Sequence, residues 1–115
     1  MKYQGSCHCG NVKFEVEGEI QGVISCNCSL CERRGSLLWF VPRDTLRVST
    51  ADKDIATYTF NKHFIKHRFC AKCGIHTHAE AKDRQGNPMG AINLRCLDGV
   101  DLNAVKVTPF DGQSL

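Results

Sequence analysis

Seven of the eight cysteines in this 115-residue chain fall into three tight clusters: Cys7-His8-Cys9, Cys26-Asn27-Cys28-Ser29-Leu30-Cys31 and Cys70-Ala71-Lys72-Cys73. This grouping limits the fold more than any other feature. A tetrahedral zinc site, with Zn–S bonds of about 2.3 Å, needs thiolates within roughly 4 Å of one another, and clustered cysteines supply them. C-x-x-C suits a metal-gripping turn. C-x-C suits extended backbone, because side chains two apart on a strand point to the same face. The rival reading is a disulfide framework. Against it, the chain opens Met1-Lys2-Tyr3-Gln4-Gly5-Ser6, with no basic segment leading into an apolar run, and no stretch is long enough to span a membrane. The expected location is cytoplasmic, where thiols stay reduced and cysteine clusters favour metal.

The length sets a single zinc-binding domain, residues 1–115, which can build a core but gains from a staple. Structural zinc wants four ligands, whereas catalytic zinc wants three and an open position. Clusters of two, three and two cysteines therefore divide into two zinc ions per chain. Cys7, Cys9, Cys70 and Cys73 form a closed structural site, and Cys26, Cys28 and Cys31 form a catalytic one. Closing the first across about sixty residues costs roughly 3 to 4 kcal/mol of chain entropy. A structural zinc returns on the order of 10 kcal/mol or more, so metal removal is expected to unfold the protein.

Two further residue types bear on the trio. Cys96 could close the site with a fourth thiolate, but it shares an expected strand face with Ile92 and Leu94, and the core reading is preferred. Among the histidines, His67 alternates in phase with Ile65 and Phe69 and reads as a hydrogen-bonded core residue. His8 lies on the wrong face of its C-x-C, and His63 reads as a loop residue. His76 and His78 are expected together on one strand face opposite Ile75, Thr77 and Ala79, either solvated or placed to support a ligand or move a proton.

The formal charge of +3 counts every cysteine as neutral. Four thiolates on one divalent zinc carry −2 and three on another carry −1, so the loaded chain approaches neutrality. No basic run exceeds Arg33-Arg34, and aromatic and basic residues do not interleave. The composition argues against a nucleic-acid partner.

Period-two patterning predicts an all-β fold. Val12, Phe14 and Val16 alternate with Lys13, Glu15 and Glu17, and Ile55 to Phe60 is rich in strand formers. Leu37 to Val41 reads as a strand buried on both faces. Pro42-Arg43-Asp44 turns the chain into Leu46 to Thr50. Further strands are expected over Ile65 to Phe69, Ile75 to Ala81 and Gly90 to Cys96, the last two separated by turn chemistry from Asp83 to Pro88. Only Ser29 to Arg34 suits a helical turn.

Gly5-Ser6-Cys7-His8-Cys9-Gly10, Cys26-x-Cys28-x-x-Cys31, His67-x-Phe69-Cys70-x-x-Cys73-Gly74 and Asn93-Leu94-Arg95-Cys96-Leu97-Asp98 together resemble the glutathione-dependent formaldehyde-activating enzyme and centromere protein V family, from about Tyr3 to Phe110. The resemblance implies a zinc-stapled β-tent of short antiparallel sheets on metal knuckles, and the same division of cysteines between two zincs. It also implies a carbon-sulfur lyase-type activity like that of S-(hydroxymethyl)glutathione synthase, joining glutathione to formaldehyde.

On this reading a thiol entering the trio's open position is deprotonated and held beside a small aldehyde, and proximity supplies most of the acceleration. Glutathione's two carboxylates call for cations, and Arg33, Arg34 and Arg95 are the candidates. Two other classes stay open. A non-catalytic zinc module could carry glutathione or bind a protein partner, and a redox switch could use a metal-free trio.

Overall fold

The computed structural model describes residues 1–60 and 62–112. In β2 (Lys13–Glu17) the alternation does what a period of two requires, with Phe14 and Val16 buried and Lys13 and Glu17 exposed. This strand lies between β1 (Lys2–Ser6) and β5 (Leu46–Val48) in an antiparallel three-stranded sheet. Gly5 pairs with Phe14 across β1 and β2, and a Cβ there would overlap the Phe14 ring. A glycine at this position lets that ring lie flat on its neighbour.

A second sheet is built from β3 (Val23–Cys26), β4 (Leu38–Pro42), β6 (Ile55–Tyr58), β7 (Lys66–Cys70), β8 (His76–Lys82), β9 (Pro88–Asn93) and β10 (Val107–Phe110). Its order is β10-β3-β4-β9-β8-β7-β6, antiparallel except that β10 runs parallel to β3. The single α-helix among the described residues is α1 (Ser29–Arg34), at the expected place. The fold is all-β. No helix of the described chain is long and apolar enough to cross a membrane.

The two faces of the larger sheet have different tasks. One cross-strand row, Trp39–Ile92–His78, belongs to the face that packs on Phe14, Val16 and Leu46 of the smaller sheet. Fully burying each large apolar side chain there contributes about 1.5–3 kcal/mol. The neighbouring row, Phe40–Ala91–Ala79–His67, belongs to the opposite face. Its alanines are too small to fill the space above them.

Four expectations need correction. Leu37 to Val41 is not buried on both faces throughout: Leu38, Trp39 and Val41 are buried, but Phe40 is 49% exposed because it stands on the open face. Cys7 and Cys9 do not share a strand. They sit on the bend between β1 and β2, closed by Cys7 N–H donating to the Val12 carbonyl at 3.0 Å. The strand expected to run to Cys96 ends at Asn93, whose side-chain oxygen accepts from the Arg95 amide at 3.2 Å and turns Leu94–Cys96 into a single 3-10 turn.

The fourth correction concerns His76 and His78, which are neither solvated nor on one face. Both are buried, on an inner strand that is paired on both sides. The pairing of β7 with β8 slips between Arg68 and Phe69, matching Arg68 to His78 and Phe69 to His76. Thr77 is thus an extra residue, and such a bulge changes the phase of the strand. His78 faces the Phe14 ring, 6.4 Å away between centroids, while His76 turns to the open face.

Candidate metal centres and the adjoining cavity

Two groups of cysteines have converging sulfurs, Cys7, Cys9, Cys70 and Cys73 in one and Cys26, Cys28 and Cys31 in the other, with the Sγ atoms of each group within 4.8 Å of one another. The first joins the β1–β2 bend of the small sheet to the β7–β8 turn of the large one. Its sulfurs stand 3.7 Å apart for Cys7 and Cys9 and 3.6 Å for Cys9 and Cys70. Those distances far exceed the roughly 2.05 Å of a disulfide.

Backbone amides point at these sulfurs. Val12 N–H donates to Cys7 Sγ at 3.2 Å, and the Lys72 and Cys73 amides each donate to Cys70 Sγ at 3.3 Å. Gly74, with φ of +80°, closes the knuckle by donating to the Cys70 carbonyl. Burial acts to raise the Cys70 thiol, but the Cys73 and Lys72 amides, the Asn11 side chain and the Cys9 sulfur together hold it down at about 5. Cys9 behaves oppositely: the Asn11 amide acts to lower it, yet burial and the neighbouring sulfurs of Cys70, Cys7 and Cys73 push it up to about 11. Like charges this close cannot all ionise unless a cation joins them. The donor set and its amide framework fit a thiophilic divalent ion such as zinc.

The trio is built at the start of α1. Cys26 ends β3, and Cys28 has the extended backbone of an N-cap, so this C-x-C does follow extended chain. Cys28 N–H donates to Cys26 Sγ and Cys31 N–H to Cys28 Sγ, each at 3.4 Å. Gly35, in the left-handed region at φ +68°, ends the helix by donating to the Cys31 carbonyl. Burial acts to raise Cys28, but the Cys31 amide and the Cys31 and Cys26 sulfurs bring it below its ordinary value. Cys31 is raised, first by burial and then by its two neighbours. The same crowding, with three sulfurs, fits a cation here too.

Cys96 is far from completing the trio. It is half-buried against the main core, its thiol donating to the His76 carbonyl at 3.5 Å, and burial followed by Cys7 and Cys73 raises it to about 11. Its sulfur neighbours are thus members of the four-cysteine cluster. The core reading stands, although the residue is on a 3-10 turn rather than a strand.

A cavity of about 270 Å³ opens beside the trio, on the open face of the large sheet. Ala79, Ala81 and Ala91 form its floor, and Phe40, Phe60, Ile65 and Phe110 form its walls. The polar lining is Arg34, Ser36, His67 and His76, with the three cysteines. His67 is buried as expected but faces this cavity, stacked on Phe60 at 5.5 Å, and has no hydrogen-bond partner among the described residues. Burial, then Arg34, lowers His67 to about 4 and His76 to about 3, so both rings are neutral near pH 7. The exposed side chain of Arg33 instead folds back to the Ser29 carbonyl at 2.8 Å, and exposed Arg95 lies on its 3-10 turn, outside the lining.

The C-terminal strand completes the site, and its part in it escaped the sequence reading. β10 pairs with β3 in register Phe110 to Cys26, Asn27 N–H donates to the Phe110 carbonyl at 3.1 Å, and Asn27 Nδ2 donates to Asp111 Oδ1 at 3.0 Å. Gly112 then passes so close that a Cβ would stand 2.5 Å from Cys26 Sγ. Val107-Thr108 carries β propensity, but nothing in the spacing of residues 107–112 points to Cys26.

The profile of the glutathione-dependent formaldehyde-activating enzyme family matches residues 2–109. The chain belongs to this family. A crystal structure of a Rhodobacter sphaeroides protein, a Northeast Structural Genomics target, is similar with a TM-score of 0.77 and 34% identity, over 94% of this chain and 100% of that one. Family membership covers all three cysteine clusters and most of the cavity lining.

Proposed function

We propose that the protein is a zinc-dependent carbon-sulfur lyase-type enzyme that adds a thiol, such as glutathione, to formaldehyde or another small aldehyde at Cys26, Cys28 and Cys31. One observation carries the reading: three converging sulfurs, one fewer than a closed structural site needs, line a cavity, while a separate four-sulfur cluster staples the sheets. When bound at the trio, zinc supplies a positive centre that favours the thiolate form of a thiol. The second ion, on Cys7, Cys9, Cys70 and Cys73, has a structural role.

The chain's own residues hold the reactants. The Cys28 and Cys31 amides keep the trio's sulfurs in place, and the segment ending at Gly112 covers Cys26. Half-buried Arg34 offers a cation to an incoming thiolate or carboxylate, and the aromatic walls give the cavity an apolar lining. In the overall addition the carbon-sulfur bond forms as the carbonyl π bond opens, and the thiol's proton ends on the oxygen. No redox partner is needed, so orientation and proximity suffice for a useful acceleration.

The test is native mass spectrometry of the zinc-loaded protein with and without glutathione, followed by NMR observation of hydroxymethyl-thiol formation from glutathione and formaldehyde. Two zincs, one bound thiol and an acceleration abolished by Cys28→Ser are expected. Arg34→Ala should weaken thiol affinity on the order of tenfold, as loss of one charge-assisted contact would, and Arg33→Ala should leave it unchanged. A loaded protein that neither binds the thiol nor speeds the addition would overturn the proposal in favour of a non-catalytic zinc module.

A further inference from the structure

The cavity is mismatched to formaldehyde. Its roughly 270 Å³ compares with about 30 Å³ for one water in the liquid, so an aldehyde of two heavy atoms fills only a small fraction of it. The remainder would be water against alanine, phenylalanine and isoleucine. Nor does it suit the whole of glutathione. No Asp or Glu lines it among the described residues, so the peptide's ammonium group would lack a partner there, and only the cysteinyl end is suited to enter.

The polar lining is concentrated and underused. The β8 bulge brings His76 to the same face as His67, with ring centroids 6.3 Å apart. His76 Nδ1 is held by Ser36 Oγ at 3.3 Å, while its buried Nε2 has no partner. The nitrogens of His67 are likewise unpartnered among the described residues. Leaving His76 Nε2 buried and unsatisfied is costly unless a ligand meets it, and the His67 nitrogens are free to join it.

We infer that this cavity takes a carbonyl compound with an apolar aliphatic or aromatic body, its oxygen meeting the His67, His76 and Arg34 corner and its carbonyl carbon turned to the trio. This specifies the aldehyde class and rests on the reading of the trio as the site of thiol addition. In that addition the carbonyl π pair moves to the oxygen as the carbon-sulfur bond forms. The thiol's proton balances the charge, and a neutral imidazole hydrogen-bonds the oxygen throughout.

The test uses the zinc-loaded protein with two unreactive carbonyl analogues, acetamide and hexanamide. Binding is read by calorimetry and the histidine ring nitrogens by ¹⁵N NMR. Each buried methylene is worth about fourfold in affinity, so hexanamide should bind at least about tenfold more tightly and shift the ring nitrogens of His67 or His76. A His67→Leu, His76→Leu double variant should lose at least about fivefold of its affinity for hexanamide. Equal binding of the two amides overturns the assignment of class, and unmoved ring nitrogens overturn the assignment of the histidines, whether or not the variant folds. Rates of glutathione addition to hexanal and formaldehyde separate this inference from the activity itself. If hexanamide binds as expected but neither aldehyde reacts faster, the activity fails and the ligand class stands. If formaldehyde alone reacts and hexanamide does not bind, the class fails and the activity stands.

Discussion

Replacing Cys70 and Cys73 together with serine removes the staple between the two sheets without touching the trio. Cys9 and Cys70 lie 61 residues apart in sequence with sulfurs 3.6 Å apart. By the chain-entropy relation for cross-links, tying a loop of that length is worth about 4 kcal/mol. The net stability of a domain is only about 5–15 kcal/mol, so this is a large share of it. At roughly 4 °C per kcal/mol for a chain of this size, the zinc-loaded double variant should melt at least about 15 °C below the parent. Cys28→Ser is the control. The trio closes a loop of only a few residues, whose entropy is roughly half as large by the same relation, so its shift should be clearly smaller. Thermal unfolding followed by far-UV circular dichroism reads both. A double variant melting within about 5 °C of the parent, or a Cys28→Ser shift as large as its own, would show that the core shared by Phe14, Trp39 and Ile92 holds the sheets together without the staple.

Gly112→Ala should weaken metal at the trio alone. Its Cβ would stand 2.5 Å from Cys26 Sγ and 3.3 Å from Cys28 Cβ, where ordinary contacts are about 3.5–4.0 Å. Overpacking of this kind costs about 1–3 kcal/mol, so titration with a chromophoric chelator should find one zinc held roughly ten- to a hundredfold more weakly and the other unchanged. Two unaltered affinities would remove the C-terminal segment from the site. The histidines of the cavity set an acid limit. Burial and Arg34 hold His67 at about 4 and His76 at about 3, below the ordinary 6.5, so between those values the unfolded chain binds protons that the folded one does not. Stability should fall as pH drops from about 6.5 towards 4, and a His67→Phe, His76→Phe variant should show a flatter dependence of Tm on pH over that range. Parallel curves would contradict the neutral, buried state of the two rings.

Strand content was legible wherever one face is buried and the other wet, as in β2, because Phe14 and Val16 record that asymmetry directly. The division of seven cysteines into four and three was legible as well, since sulfurs that must converge are clustered in sequence or paired by similar turns. The β8 bulge was not. A slipped register at Thr77 leaves the alternation of residue types unchanged, so His76 and His78 read as one face although they serve opposite ones. The choice among cations was equally hidden: Arg33 and Arg34 are adjacent, and only the helix rotation sends one back to Ser29 and the other to the cavity. Cys96 was legible as a core thiol, but the helical turn that carries it was masked by the strand-like residues before it.

Because β10 lies parallel to β3, the cover over Cys26 comes from residues far downstream in sequence. During synthesis all four cysteines of the staple have been made once Cys73 is added, whereas the trio waits for residues 107–112 before its wall exists. A growing chain therefore carries both cysteine groups in its sequence before it carries the strand that covers the trio. The four-cysteine group draws only on residues 7–73, whereas the cover of the trio depends on a strand pairing that residues 107–112 supply.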